Sequence, residues 1–217
     1  MPGQADQPDL IAPADAEAVL ADLGIPIRPA GTAPTTPIDG ELAGACARIA
    51  RKLRDDRRRL VGFLPADDET AVLPVLVHLG LALAELTDLP VALVDANIRH
   101  GGLSALVEGT TVTAADAVYA ERIVRGRLVV FTAQHVAPPG QVGPQLVRLL
   151  RTEAQRFGHM LVDLTGFDRL GEHTAAAAAL DGAAIVARTH HTHERGLAEL
   201  AAFVRRDRFL GVILIGS

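Results

Sequence analysis

Residues 91–109 read VALVDANIRHGGLSALVEG, an apolar run from Val91 that ends on a carboxylate at Asp95 and passes into a glycine-containing segment. The run shows no alternation of apolar and polar positions, which is the pattern of a strand covered on both faces. Outward from it the same texture recurs: LVGFL at Leu60 to Leu64, LVVF at Leu128 to Phe131, MLVD at Met160 to Asp163, AAIVA at Ala183 to Ala187 and GVILIG at Gly211 to Gly216. Between these runs helices are predicted over Glu69 to Glu85, Thr113 to Val124, Gly143 to Phe157 and His193 to Arg206. The first tolerates Pro74 only in its opening turn, and the second opens on a capping-box variant with Asp116 in the acidic place. Strands alternating with helices make an α/β domain with a mostly parallel sheet sandwiched by helices. Ligands in such sheets bind beyond the carboxyl ends of the strands, which directs attention to the residues after Leu64, Asp95 and Asp163.

Composition narrows the possible partners. A chain of 217 residues that is 49% hydrophobic buries a full single-domain core. Its formal net charge of -5 gives no long-range positive field to gather nucleic acid or an anionic membrane. Aromatic residues are only 3% and tryptophan is absent, so stacking platforms for bases are not expected. The single cysteine, Cys46, cannot close an internal disulfide, and MPGQADQPDL has neither a basic nor an apolar leader segment, so a reducing cytoplasm is expected. No apolar run approaches the roughly 20 residues of a membrane span. Residues 1–37, rich in Pro, Ala, Gly and Thr, read as a flexible arm, with DAEAVLADLG at Asp15 to Gly24 as a short helix within it; residues 38–217 form the domain.

The detailed motifs resemble one family. VALVDANIRHGGLS is similar to the second nucleotide motif of bacterial tyrosine kinases of the MinD/ParA group of P-loop ATPases, in which an apolar strand ends in Asp-x-Asp-x-Arg. Asp95, Asn97 and Arg99 stand in those three places. HMLVDLTGF, from His159 to Phe167, resembles the Walker B strand, whose terminal Asp, here Asp163, helps hold the magnesium shell. The stretch from Gly182 to Gly216 resembles the closing strand, switch loop, helix and final strand. The resemblance implies a vestigial nucleotide and Mg²⁺ site at Asp95, Asn97, Arg99 and Asp163. Physically, carboxylates at strand ends can reach a cation at the sheet rim, and they can equally cap the loop or helix that follows.

The same comparison exposes what the chain has lost. A phosphate-binding loop needs glycine amides around the phosphates and a lysine at the β and γ oxygens. Residues 65–77 read PADDETAVLPVLV, without glycine, and the lysine's place falls near Val72. The chain's one lysine is Lys52, upstream of the first strand, so no shift of alignment supplies another. Asp67, Asp68 and Glu69 fill the degenerate loop and are expected to repel a triphosphate. The family's intersubunit Glu-x-x-Arg-x-x-Arg reads Glu41, Gly44 and Ala47 here, with Arg48 and Arg51 one position late, and Tyr119 is the only tyrosine.

Other clusters carry weaker chemistry. Imidazoles at His190, His191 and His193 suit Zn²⁺ or Ni²⁺, but adjacent histidines seldom chelate one ion, and a solvated loop or a pH-sensitive partner surface is the alternative. Arg57, Arg58 and Arg59 beside Asp55 and Asp56 read as a solvated helix end, and Cys46 as a buried structural thiol. The expectation is a catalytically inactive ATPase-like scaffold or regulator that takes no cofactor and contacts protein partners, as a homodimer or with an active relative. The competing expectation is an unconventional nucleotide-binding NTPase or kinase-like enzyme built on Asp95 and Asp163.

Overall fold

The computed structural model describes residues 37–96, 103, 119–125, 127–133, 141–167 and 173–216. The chain runs α1 (Pro37–Asp55), β1 (Leu60–Pro65), α2 (Leu73–Leu86), β2 (Val91–Asp95), β3 (Tyr119–Arg125), β4 (Leu128–Ala133), α3 (Val142–Glu153), β5 (His159–Asp163), α4 (His173–Ala178), β6 (Gly182–Arg188), α5 (Glu194–Phe203) and β7 (Phe209–Ile215). The strands form one sheet in the order β3-β4-β2-β5-β1-β6-β7. Every neighbouring pair is parallel except β3 with β4. The central strands β2 and β5 are buried along their whole length, as near-continuous apolar runs require.

Two apolar cores lie on the two faces. On one, Cys46, Ala50 and Leu53 of α1 and Val75, Leu76, Leu79 and Leu83 of α2 pack with Phe63, Leu93 and Leu161 of the sheet. On the other, Leu146 and Leu150 of α3 and Ala176 of α4 meet Val94, Met160 and Val162. Each fully buried leucine contributes about 1.5–3 kcal/mol of transfer free energy, so these clusters dominate stability. Packing on the second face is tight at Gly62 of β1, where an added Cβ would lie 2.5 Å from Leu180 and 2.7 Å from Leu164 side-chain carbons. Burial pushes the Cys46 thiol up to about 11, as an unreactive thiol demands.

Three sequence expectations change. The predicted helix over Thr113 to Val124 is not formed at its C-terminal half, where Tyr119–Arg125 pairs antiparallel with β4. The ladder with a neighbouring strand overrides a local capping signature; residues 113–118 and the arm at 1–36 lie outside the described residues. Helix α2 begins at Leu73 rather than Glu69, with Pro74 in its opening turn, because Asp67 ties residues 69 and 70 into a separate turn. Finally, the arginine run is not simply solvated. Arg59 donates from Nε to Gly158 O at 3.1 Å and from Nη2 to Ala154 O at 2.7 Å and to Phe157 O, while Arg58 binds the carbonyls of Asp181 and Asp207. Asp181 in turn accepts from the backbone N–H groups of Arg59 and Leu60, both at 2.9 Å. The run stitches the entry of β1 to the C-terminal end of α3 and to the turns that precede β6 and β7.

Candidate functional site

The carboxyl ends of β1, β2, β5 and β6 converge on one rim of the sheet, and each brings a charged or polar residue. Asp95 closes β2 and Asp163 closes β5, and the two are register partners on adjacent parallel strands. Both are almost wholly inside, 2% and 5% exposed. A carboxylate so placed needs donors, and backbone amides supply them. Asp95 Oδ2 accepts from Leu103 N at 2.9 Å, holding the chain eight residues downstream. Asp163 Oδ1 accepts from Thr165 N at 2.9 Å and from Thr165 Oγ1 at 2.5 Å. Burial pushes the Asp163 carboxyl above its ordinary range, and the two bonds from Thr165 offset part of that rise. Asn97 and Arg99 lie outside the described residues.

The loop after β1 is anchored from both sides. Ala66 N donates to Val186 O of β6 at 2.8 Å. Asp67 Oδ1 accepts from Glu69 N at 3.0 Å and from Thr70 Oγ1 at 2.8 Å, a local turn that leads the chain into α2. Thr192 Oγ1 donates to Asp67 Oδ2 at 3.3 Å from the loop after β6. Arg188, the last residue of β6, places Nη2 2.8 Å from Glu69 Oε2 and 3.7 Å from Asp67 Oδ1. Burial alone would raise the Asp67 pKa, but the bonds from Thr70 and Glu69 N, the Arg188 charge and the Thr192 hydroxyl together hold it below the ordinary range. Asp68 and Glu69 are exposed at the surface of this loop.

Val72, at the place expected for the phosphate-binding lysine, is 2% exposed and belongs to the core cluster of α1, α2 and Phe63. Its side chain is part of the packing under the loop and not of the loop's solvent face. Lys52, the one lysine, sits on α1 in a surface pair with Asp56 at 3.2 Å.

The loop after β6 carries His190, His191 and His193, all exposed, with His190 at a positive φ of 66°. Among the described residues no group of three or more His, Cys, Asp or Glu side chains converges as a metal site. Sequence reasoning passed over Arg188, Thr165 and Thr192, which make the ties at this rim. Arg188 had one legible signal: a cation at the end of a buried strand, directly before the histidine segment.

No helix of the described residues is long and apolar enough to cross a membrane. No protein-family model matches the sequence. No curated protein matches it either. Solved structures do. The BceF tyrosine kinase domain is 20% identical, with a TM-score of 0.68 over 96% of this chain and 90% of that one. The kinase domain of the Escherichia coli tyrosine kinase ETK is 15% identical, with a TM-score of 0.65 over 88% of this chain and 82% of that one. A ParA family ATPase from Chlorobium tepidum TLS is 17% identical, with a TM-score of 0.55 over 72% of this chain and 73% of that one. The chain has the α/β fold of the bacterial tyrosine-kinase domains and the ParA-type ATPases.

Proposed function

We propose that this chain is a catalytically silent P-loop ATPase-like domain that serves as a scaffold or regulator through protein contacts. One observation carries the reading: the position of the phosphate-binding lysine is filled by Val72, packed into the core, in a loop that has no glycine. The surrounding chemistry supports it. Asp67 and Glu69 of the loop are matched internally by Arg188 and Thr192, so this guanidinium is already engaged with carboxylates of the loop and is not held for a triphosphate. The carboxylates that would help hold Mg²⁺ accept hydrogen bonds from the buried Leu103 amide and the half-buried Thr165 amide instead, so recruiting them would first strip these amides of their acceptors. The described residues of the rim therefore fit Mg²⁺-nucleotide poorly.

The resemblance to bacterial tyrosine kinases suggests where such a scaffold works: exopolysaccharide biosynthesis or export, or the positioning of cell-surface machinery. Its partner is then an active relative or a second copy. Phosphate release and self-phosphorylation, followed with γ-labelled ATP and Mg²⁺, test the silence. No turnover above a buffer control is expected, and steady release that Asp163→Asn abolishes would overturn the reading in favour of an unconventional NTPase.

A further inference from the structure

Beside the rim lies a cavity of about 280 Å³ between the loop after β1, the residue after β5 and helix α5. Leu64, Leu164, Leu200 and Phe203 supply apolar wall, and the exposed carboxylates Asp68 and Glu199 line it as well. Pockets for drug-sized molecules run from roughly 300 to 1,000 Å³, so this one suits one or two large side chains better than a nucleotide. Helix α5 is unusual on the same side. Its ten residues include Leu197, Leu200 and Phe203, yet none is fully buried, and Phe203 is 45% exposed. Helices in folded domains take most of their stability from packing an apolar face, and this face is only partly packed.

Gly196 is the second unusual feature. It lines the cavity from within the first turn of α5, where glycine is a poor helix former, and an added Cβ would meet nothing within 4 Å. Among the described residues no neighbour requires its small size. Its effect is to leave the helix backbone bare toward the cavity, so that an incoming group can approach closely. Among the described residues the charged side chains that line the cavity are Asp67, Asp68 and Glu199, with Arg188 and Arg195 beside them. Asp67 is engaged with Arg188 and Thr192, and Glu199 holds Arg195 at 3.0 Å in a pair whose side chains are 91% and 65% exposed, which an incoming cation can exchange with little loss.

We propose that this cavity is the anchor pocket for a partner protein, and that it receives a large apolar side chain carried next to an arginine or lysine. The apolar group fills the space between Leu164, Leu200 and Phe203, and the cation takes the place of Arg195 at Glu199. The inference rests on the reading of the domain as a protein-contact scaffold, and it names the chemistry of the contact.

The test displays a randomised peptide library against the immobilised full chain. Selected peptides are then titrated by fluorescence anisotropy against wild type, Gly196→Leu and Glu199→Arg. Gly196→Leu fills the cavity while favouring the helix, so it preserves folding, which circular dichroism checks. The selected sequences should share an aromatic or leucine residue beside Arg or Lys. Gly196→Leu should weaken them at least about tenfold, as loss of an anchor pocket does. Glu199→Arg should weaken them about threefold to tenfold, most at low salt. Acidic or unrelated selected sequences, binding indifferent to Gly196→Leu, or no selected peptide would each overturn the proposal. So would a concentration-dependent dimer that Gly196→Leu abolishes, because the cavity would then belong to a second copy. Turnover of Mg²⁺-ATP alongside pocket-dependent peptide binding would sink the silent-site reading and leave the pocket standing, so the two failures are distinguishable.

Discussion

Arg188, at the end of β6, donates from Nη2 to Glu69 Oε2 at 2.8 Å, joining residues 119 positions apart across the rim where the loop after β1 turns into α2. The loop is thereby closed by charge from within the fold, and its acidity is directed at a guanidinium of the same chain.

Removing that guanidinium should loosen the loop without unfolding the domain. Arg188→Gln is expected to cost about 1 kcal/mol, because the side chain is 24% exposed and water replaces part of what is lost. Amide hydrogen exchange should speed up selectively over residues 66–72, and exchange as slow as in wild type would count against the bridge.

Asp67 gives a signed pH dependence. Its carboxyl is held below the ordinary range in the fold, so the unfolded chain binds the proton more readily. The stabilisation is complete above the unfolded value and is lost as pH falls through the folded one. Asp67→Asn should therefore be less stable than wild type near neutrality, by about 1 kcal/mol, and the gap should close in strong acid. Urea denaturation across this range reads it directly, and a gap that widens toward low pH would reverse the sign argued here.

His159 sets a second window, nearer neutrality. It is 5% exposed at the start of β5, and burial, then the nearby Arg59 charge, lowers its pKa, with the Leu53 backbone countering part of the shift. The unfolded chain thus takes up a proton that the fold resists, so this contribution is present above the ordinary imidazole value of about 6.5 and is lost as pH falls below it. His159→Leu should flatten the stability profile between pH 7 and the folded value. Curves of the two proteins that stay parallel through that interval would remove His159 as the cause.

The seam at the opposite end of the sheet should be costlier to break than the rim. Arg59→Ala abandons three carbonyls, those of Ala154, Phe157 and Gly158, and is expected to lower stability by about 2–4 kcal/mol. The exposed neighbour Arg57 serves as control, since Arg57→Ala should change the melting temperature little. Equal losses for the two would show that the carbonyl contacts carry no special weight.

The fold was legible because its central strands are apolar on both faces. VALVD was read from Val91 to Asp95 with the bounds it has in the structure, since neither face admits a polar residue before the rim. The edge was harder. Residues 119–125 carry Glu121 and Arg122 among apolar positions, and only pairing with β4 makes them a strand. At the rim, sequence reading identified Asp95 and Asp163 as strand-end carboxylates, and the register makes them neighbours. It also placed Asp67, Asp68 and Glu69 in the loop as acids that repel a triphosphate, without their tie to Arg188. That partner of Asp67 and Glu69 is more than a hundred residues away, and local spacing cannot reveal such a contact.

Val72 bears most of the silent-site reading, and calorimetric titration of the full chain with Mg²⁺-ATP, run on wild type and on Val72→Lys, examines it. Wild type should give no saturable heat up to millimolar nucleotide. Val72→Lys should bind no better and should lose about 3 kcal/mol of stability, because an ammonium would have to enter the core formed with Phe63, Val75 and Leu76. Micromolar binding by wild type, or nucleotide binding gained by a stable Val72→Lys protein, would contradict it.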